Sequence, residues 1–375
     1  NVPDRILHAI GHPTIDHRGP KFKALSEEVL VGSRRIFKTA GPVAIFPTSG
    51  TGAWEASLLN TLNPGDTVLM FETGHFATLW QAMAQKFGLE VDFVPTNWRH
   101  GVDPDIVEEK LRADKEHMIK AVNVVHNETS TGVTSRIAEI RQAIDRAEHP
   151  ALFMVDTISS LGSIDYRHDE WQVDVTVGCS QKGLMLPPGL GFNAISEKAL
   201  KASRKNRFKR HFWDWNDMLK ANENFFYPST PCTNLLFGLR ESIRMLEEEG
   251  LDNVFARHDR FAEATRRAVR TWGLEILCEN PEEYSSVLTA VMMPDGSGAD
   301  ALRKVILDAF DMSLGNGLGK VADKVFRIGH LGDLNDLTLI GTLAGVEMGL
   351  ELGNIKHNKG GVAEAMKYLA EVAAT

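Results

Sequence analysis

The chain has 375 residues, 43% of them hydrophobic and 24% charged, and carries a net charge of −9. That length buries a large core and allows one to three domains, while the acidic balance argues against a dedicated nucleic-acid binder. No apolar run is long enough for a membrane-spanning helix. Cys179, Cys232 and Cys278 are too few and too scattered for a disulfide framework or a zinc site, which fits a reducing, cytoplasmic setting. Because the chain opens at Asn1, a trimmed start is expected, whether or not an address was lost with it; its end, Val372-Ala373-Ala374-Thr375, is not a peroxisomal signal.

Residues 1–20 are rich in Pro, His and Gly and read as an extended arm closed by His17-Arg18-Gly19-Pro20. Ser26-Glu27-Glu28 then predicts a helix start, with a capping serine and acids in the first turn. A short strand over 43–46 runs through Pro47-Thr48-Ser49-Gly50-Thr51-Gly52 into a helix over 53–62. Such a junction offers free backbone N–H groups and a helix dipole to an anion, although glycines there also serve as plain turn formers. It is not a dinucleotide fingerprint, because Glu55 stands where a third small residue belongs, and no P-loop lysine follows.

Strands are predicted over 67–71, 89–94 and 119–125, with helices over 76–88 and 104–112 between them. The third strand ends in a polar cluster, His126-Asn127-Glu128-Thr129-Ser130-Thr131-Gly132. A helical period in Ile137, Ile140 and Ile144 follows, then an apolar run over 151–155 ending in Asp156. A second run, 173–177, leads into Gly178-Cys179-Ser180-Gln181-Lys182-Gly183 and then Pro187-Pro188-Gly189. This βαβα alternation predicts a doubly wound α/β sheet whose strand ends carry the ligand crevice. An acid and a lysine delivered there could form a simple salt bridge. Lys182, crowded by small and polar neighbours, could equally have its pKa lowered enough to act as a nucleophilic amine.

Arg204-Lys205-Asn206-Arg207-Phe208-Lys209-Arg210-His211, followed by Phe212, Trp213 and Trp215, is too short a basic cluster in an acidic chain for single-stranded nucleic acid. It reads as a solvated segment, with attraction of acidic substrates as the alternative. Amphipathic helices over 234–249 and 253–272 lead to strands over 274–277, 286–293 and 325–330 and helices over 299–310 and 337–352. Arg327, a cation between apolar neighbours in the last strand, on its own reads as a structural ion-pair partner.

Asp156-Thr157-Ile158-Ser159-Ser160-Leu161-Gly162, Ser180-Gln181-Lys182-Gly183 and Pro187-Pro188-Gly189 together resemble the pyridoxal-phosphate core of class V aminotransferases. The match is nearest to the alanine–, serine– and aspartate–glyoxylate group and runs over nearly the whole chain. The resemblance implies a fold-type I enzyme with an arm (1–20), a large, mostly parallel α/β sheet domain (21–255) and a smaller C-terminal α+β domain (256–375). It implies that Lys182 carries pyridoxal 5'-phosphate as a Schiff base, with Asp156 at the ring nitrogen and Thr51, Gly52 and Ala53 at the phosphate. Phe76, where the family often has Trp, would stack on the ring; Gln181 and Thr129 would face its oxygen side, and Glu128 would support that loop.

By the same resemblance, Tyr227 and Thr230 reach a neighbour's cofactor phosphate in a homodimer with shared active sites. Arg327 clamps the substrate α-carboxylate in a bidentate fork, and Arg18 is a further substrate contact. The implied reaction moves an amino group from a small L-amino acid, L-serine or L-aspartate favoured, to glyoxylate, giving glycine and a 2-oxo acid by a ping-pong cycle. No metal, nucleic acid or membrane takes part. A cysteine desulfurase or related lyase of the same fold would carry His before the lysine and a reactive Cys on a late loop; Gln181 and the position of Cys278 fit neither requirement. A non-catalytic cofactor-binding protein is the alternative from another class. A dicarboxylate donor would need a second cation, from Arg18 or from 204–210.

Overall fold

A computed structural model describes residues 1–374. At its centre a seven-stranded sheet is built from β1 (Val43–Phe46), β2 (Thr67–Phe71), β3 (Glu90–Val94), β4 (Ile119–Val125), β7 (Leu152–Asp156), β8 (Val175–Cys179) and β9 (Gly191–Ile195), in the order β1-β9-β8-β7-β4-β2-β3. From β3 to β8 all neighbours are parallel, and β9 alone runs against both of its neighbours. The small hairpin of β5 (Asn127–Glu128) and β6 (Val133–Thr134) stands off the end of β4.

The central strands are apolar on both faces because helices cover both. On one face, α3 (Gly50–Thr61), α4 (His75–Lys86), α7 (Glu197–Lys205) and α8 (Trp215–Asn222) pack over Val68, Met70, Ala121, Met154 and Val177. The opposite face meets α5 (Pro104–Ala113) and α6 (Ile137–Arg146) through Leu69, Val122, Val124, Phe153 and Val155. Toward β1 and β9 the cover passes to α2 (Pro20–Phe37) and α9 (Thr233–Glu249). Side chains alternate between the two cores along each strand, as the two-residue repeat requires.

A second, antiparallel sheet contains β10 (Glu275–Ile276), β11 (Leu288–Met292), β12 (Gly315–Asn316) and β13 (Val325–Gly329), ordered β10-β11-β13-β12. Packed with it are α10 (Leu251–Thr271), α11 (Ala299–Phe310), α12 (Asp336–Leu352) and α13 (Gly361–Ala373). The 21-residue α10 serves both bodies. Val254, in its first turn, is buried with the α2–α9 core, while Phe261, Ala264 and Ala268 are buried in the second.

Several sequence expectations need correction. The opening segment is not wholly extended: α1 (Asp4–Ile10) buries Ile6 against α9, with Arg5 bonded to Glu241 and Glu248 at 2.8 and 2.7 Å. The next helix starts at Pro20 rather than at Ser26. Proline lacks an N–H to leave unsatisfied and its φ suits a first turn, while Ser26 lies fully buried inside the helix. Strand β9 and helices α7, α8 and α13 carried no expectation at all. The strand before Lys182 extends through Gly178 and Cys179, because Gly178 fits beneath Leu161 and Phe37 where a Cβ would lie 2.9 and 3.1 Å from them.

Candidate active site

The parallel strands deliver their carboxyl ends to one edge of the sheet. Asp156, the last residue of β7, pairs in register with Val125, the last of β4, while the turn after β8 carries Gln181 and Lys182. Asp156 is buried. Its Oδ1 accepts the Ile158 N–H at 2.6 Å and its Oδ2 the Trp54 indole N–H at 3.0 Å. Burial pushes its carboxyl up to about 7, with the charge of Glu128 adding to the rise and the two N–H donors and Lys182 opposing it. Lys182 lines a cavity of about 670 Å³, and its amine has no hydrogen-bond or ion partner among the described residues. The Gln181 Oε1 is buried and likewise unpartnered.

The same cavity is lined by Thr129, Ser159 and Arg327. Arg327, on β13, donates from Nη1 to the Thr129 carbonyl at 2.6 Å and from Nε to the Asn316 carbonyl at 2.9 Å, which leaves Nη2 without a partner among the described residues. Burial shifts its pKa down and the nearby Glu128 charge opposes this. The site therefore lies where the two sheets meet, with the guanidinium supplied by the smaller one. Gly315, opposite Arg327 in register, keeps the space open: a Cβ there would stand 3.0 Å from the arginine Cβ and 3.1 Å from its Nε.

Glu128 is buried beneath this array and caps α4. Its carboxylate accepts the Ala77 and Ser130 N–H groups at 3.1 and 3.0 Å and the Ser130 hydroxyl at 2.7 Å. A longer contact of 3.4 Å comes from the Phe76 N–H. Its pKa is raised by burial, which those donors oppose. Phe76, half-buried, is thus tied through its backbone to the residue preceding Thr129.

At the start of α3 the N–H groups of Gly50, Thr51 and Gly52 have no acceptor among the described residues, whereas Ala53 donates to the Ser49 carbonyl at 3.2 Å. Residues 50–52 therefore offer the free donors of this turn, while the Ala53 N–H already closes the first helical turn. Gly52 is required there, since a Cβ would overlap Thr48 Oγ1 and lie 2.7 Å from the Trp213 ring.

The remaining predicted residues lie elsewhere in the single chain. Arg18 is exposed and does not line the cavity. Thr230 is exposed, whereas Tyr227 packs edge-on against Phe22 with 6.0 Å between ring centres and buries its hydroxyl beside Ser26. The basic cluster is not a uniformly solvated segment. Arg210 is 5% exposed and binds the Asn60 and Asn206 side-chain carbonyls at 2.8 and 2.9 Å, with Asp214 at 3.4 Å. That arginine is committed to holding the chain over α3 and is not free for a substrate.

Sequence reasoning missed two residues. Ser159 donates to the Asn127 carbonyl and accepts from the Asn127 amide, both at 2.8 Å, at the cavity wall. Trp54 carried no expectation; only the partner of its indole N–H distinguishes it.

The donor set fits a phosphorylated aromatic aldehyde. Free N–H groups at a helix start suit its phosphate, an unpartnered amine its aldehyde, and a buried carboxylate a ring N–H. The aminotransferase class-V family model matches residues 7–315. The chain is 48% identical to the serine–glyoxylate aminotransferase of Methylorubrum extorquens, over 99% of this chain and 94% of that protein. It is 45% identical to the L-aspartate–glyoxylate aminotransferase of Paracoccus denitrificans, over 100% and 95%. The crystal structure of ureidoglycine–glyoxylate aminotransferase from Bacillus subtilis superposes with a TM-score of 0.90 at 26% identity, covering 98% of this chain and 95% of that one.

Proposed function

This chain belongs to the class-V aminotransferase family, and from that premise we propose how its own residues carry out the reaction. It is a pyridoxal-phosphate transaminase that takes the amino group of a small L-amino acid and passes it to glyoxylate, giving glycine and a 2-oxo acid in a ping-pong cycle. When bound, the cofactor supplies an electron sink that stabilises negative charge at the substrate Cα.

Lys182 is the residue that would hold the cofactor's aldehyde, and its amine would move the proton at the substrate Cα. Its unpartnered amine, facing the cavity that Arg327 closes, is the observation that carries this reading. Asp156 holds a proton at the ring nitrogen, and Gly50, Thr51 and Gly52 receive the phosphate on their N–H groups. Phe76 fixes the ring plane, while Thr129 and Gln181 face its oxygen side. The free Nη2 of Arg327 takes the α-carboxylate of each substrate in turn.

The lining favours L-serine as donor. Lys182 and Arg327 are its only lysine or arginine side chains, and Asp311 and Asp333 stand on its wall, which suits a neutral hydroxymethyl group better than a second carboxylate. None of the three cysteines lines the cavity, and burial pushes both Cys179 and Cys278 up to about 12, against a desulfurase. We place the enzyme in the cytoplasm as a homodimer. Thr230 is the residue exposed to meet a partner's site, and Tyr227 would have to turn outward to join it. Among the described residues no helix is long and apolar enough to cross a membrane.

The test is the visible absorption of the purified holoenzyme. One donor, L-serine first, should bleach the band and glyoxylate should restore it, while Lys182→Ala should lose both the band and turnover. A band that no amino acid bleaches would overturn the assignment.

A further inference from the structure

Helix α3 reaches both ends of the proposed cofactor site. Its first turn offers the unpartnered N–H groups of residues 50–52, and one turn later Trp54, 3% exposed, sends its indole N–H to Asp156 Oδ2 at 3.0 Å. The other oxygen of Asp156 is held by the Ile158 N–H at 2.6 Å. The two donors together fix the plane of the carboxylate. The ring of Trp54 is itself clamped, lying nearly parallel to Trp80 with 5.8 Å between centroids and 9° between planes. Trp80 provides an internal contrast, because its own indole N–H is buried with no partner.

We propose that Trp54 is a positioning residue for the reaction: its N–H holds Asp156 ionised and oriented toward the ring nitrogen, so that α3 ties the phosphate-binding turn to the proton-holding carboxylate in one rigid piece. The proposal rests on the function given above. Its physical basis is that a hydrogen bond to a charged acceptor stabilises that charge, and that a buried carboxylate has few other sources of stabilisation. The charged or titratable groups facing Asp156 are Glu128 on β5, Cys179 on β8 and Lys182 beyond it. Glu128 opposes ionisation and Lys182 favours it, so removing Trp54 shifts the balance toward the protonated acid.

Trp54→Phe keeps an aromatic ring on Trp80 and removes the donor. In the holoenzyme, kcat should fall roughly tenfold with the donor KM within about twofold, and the acid limb of the kcat–pH profile should move to higher pH. Trp80→Phe, which removes an N–H bonded to nothing, should leave that limb in place. If Trp54→Phe does not fold, β-(3-benzothienyl)alanine at position 54 keeps the bicyclic shape and replaces the N–H by sulfur, and should show the same shift. A second readout needs no cofactor: in the cofactor-free protein labelled with 15N-tryptophan, the Trp54 indole signal should move as Asp156 titrates and stop moving in Asp156→Asn. An acid limb and kcat unchanged by either substitution at 54 would overturn the positioning role. An indole signal that titrates in a protein no amino donor can bleach would instead retain the contact and reject the transaminase reading.

Discussion

Arg327 illustrates how a residue acquires a role from what its neighbours leave unused. Two of its five N–H donors are taken by backbone carbonyls on either side of the cavity, so the guanidinium is fixed before any substrate arrives, and Nη2 with the second N–H of Nη1 remains to bind one. Lysine cannot copy that fork, since its ammonium is a point charge on a flexible stem. Arg327→Lys should therefore raise the KM for donor and glyoxylate by at least roughly tenfold while leaving the bound cofactor's absorption intact. A KM within twofold of wild type would remove Arg327 from substrate binding. At this scale the sequence was readable where a motif names the atom. Lys182 and Arg327 line one cavity and Asp156 ends the neighbouring strand, while the contacts of Trp54 and Ser159 and the free N–H of Gly50 stayed hidden. Their importance lies in who accepts or donates a hydrogen bond, and a tryptophan in an apolar helix looks the same with or without a carboxylate at its N–H.

Helix starts decide much at the next scale up. The strand-to-helix turn at 47–52 was legible because glycine, threonine and serine crowd a boundary between two apolar runs, yet the helix begins three residues earlier than the apolar pattern suggested. That shift moves the free donors from Ala53 back to Gly50. Gly52→Ala should reveal the tightness of this turn: the added methyl meets Thr48 and Trp213, so cofactor affinity, measured by equilibrium titration of the visible band, should drop about tenfold or more. Unchanged affinity would mean that the turn relaxes freely and the phosphate lies elsewhere. The strands were easier to find than their order. Apolar runs marked the parallel strands, but β9, with Asn193 interrupting its short sequence, carried no expectation, and nothing in it announces that it runs against its neighbours. Helices α7 and α8 were obscured by the basic cluster between them, whose Arg210 turns inward to hold α3.

Across the molecule, buried ionisable groups set the response to pH. His126, His168 and His258 are held near 4 and His330 near 3, burial being the main cause in each. An unfolded chain takes up protons on these rings below pH 6.5 that the native state refuses, so their contribution to stability is complete above that pH and lost as pH falls toward 4. Asp156 and Glu128 act in the opposite sense, being raised by burial and favouring the native state at lower pH. The histidines outnumber them, so the cofactor-free protein should lose Tm as pH drops from 7 to 5, measured by calorimetry. A flat Tm over that range would contradict neutral burial of the rings. We propose that the boundary between the large and small domains, near residue 255, falls inside α10, whose first turn is buried in one core and whose middle is buried in the other. A joint made of unbroken helix behaves as an axle rather than a tether. A protease searching for a linker between the two bodies should find none to cut before general unfolding. The two bodies should melt in one calorimetric transition, so the small sheet cannot let go of its arginine's cavity without the large one feeling the strain.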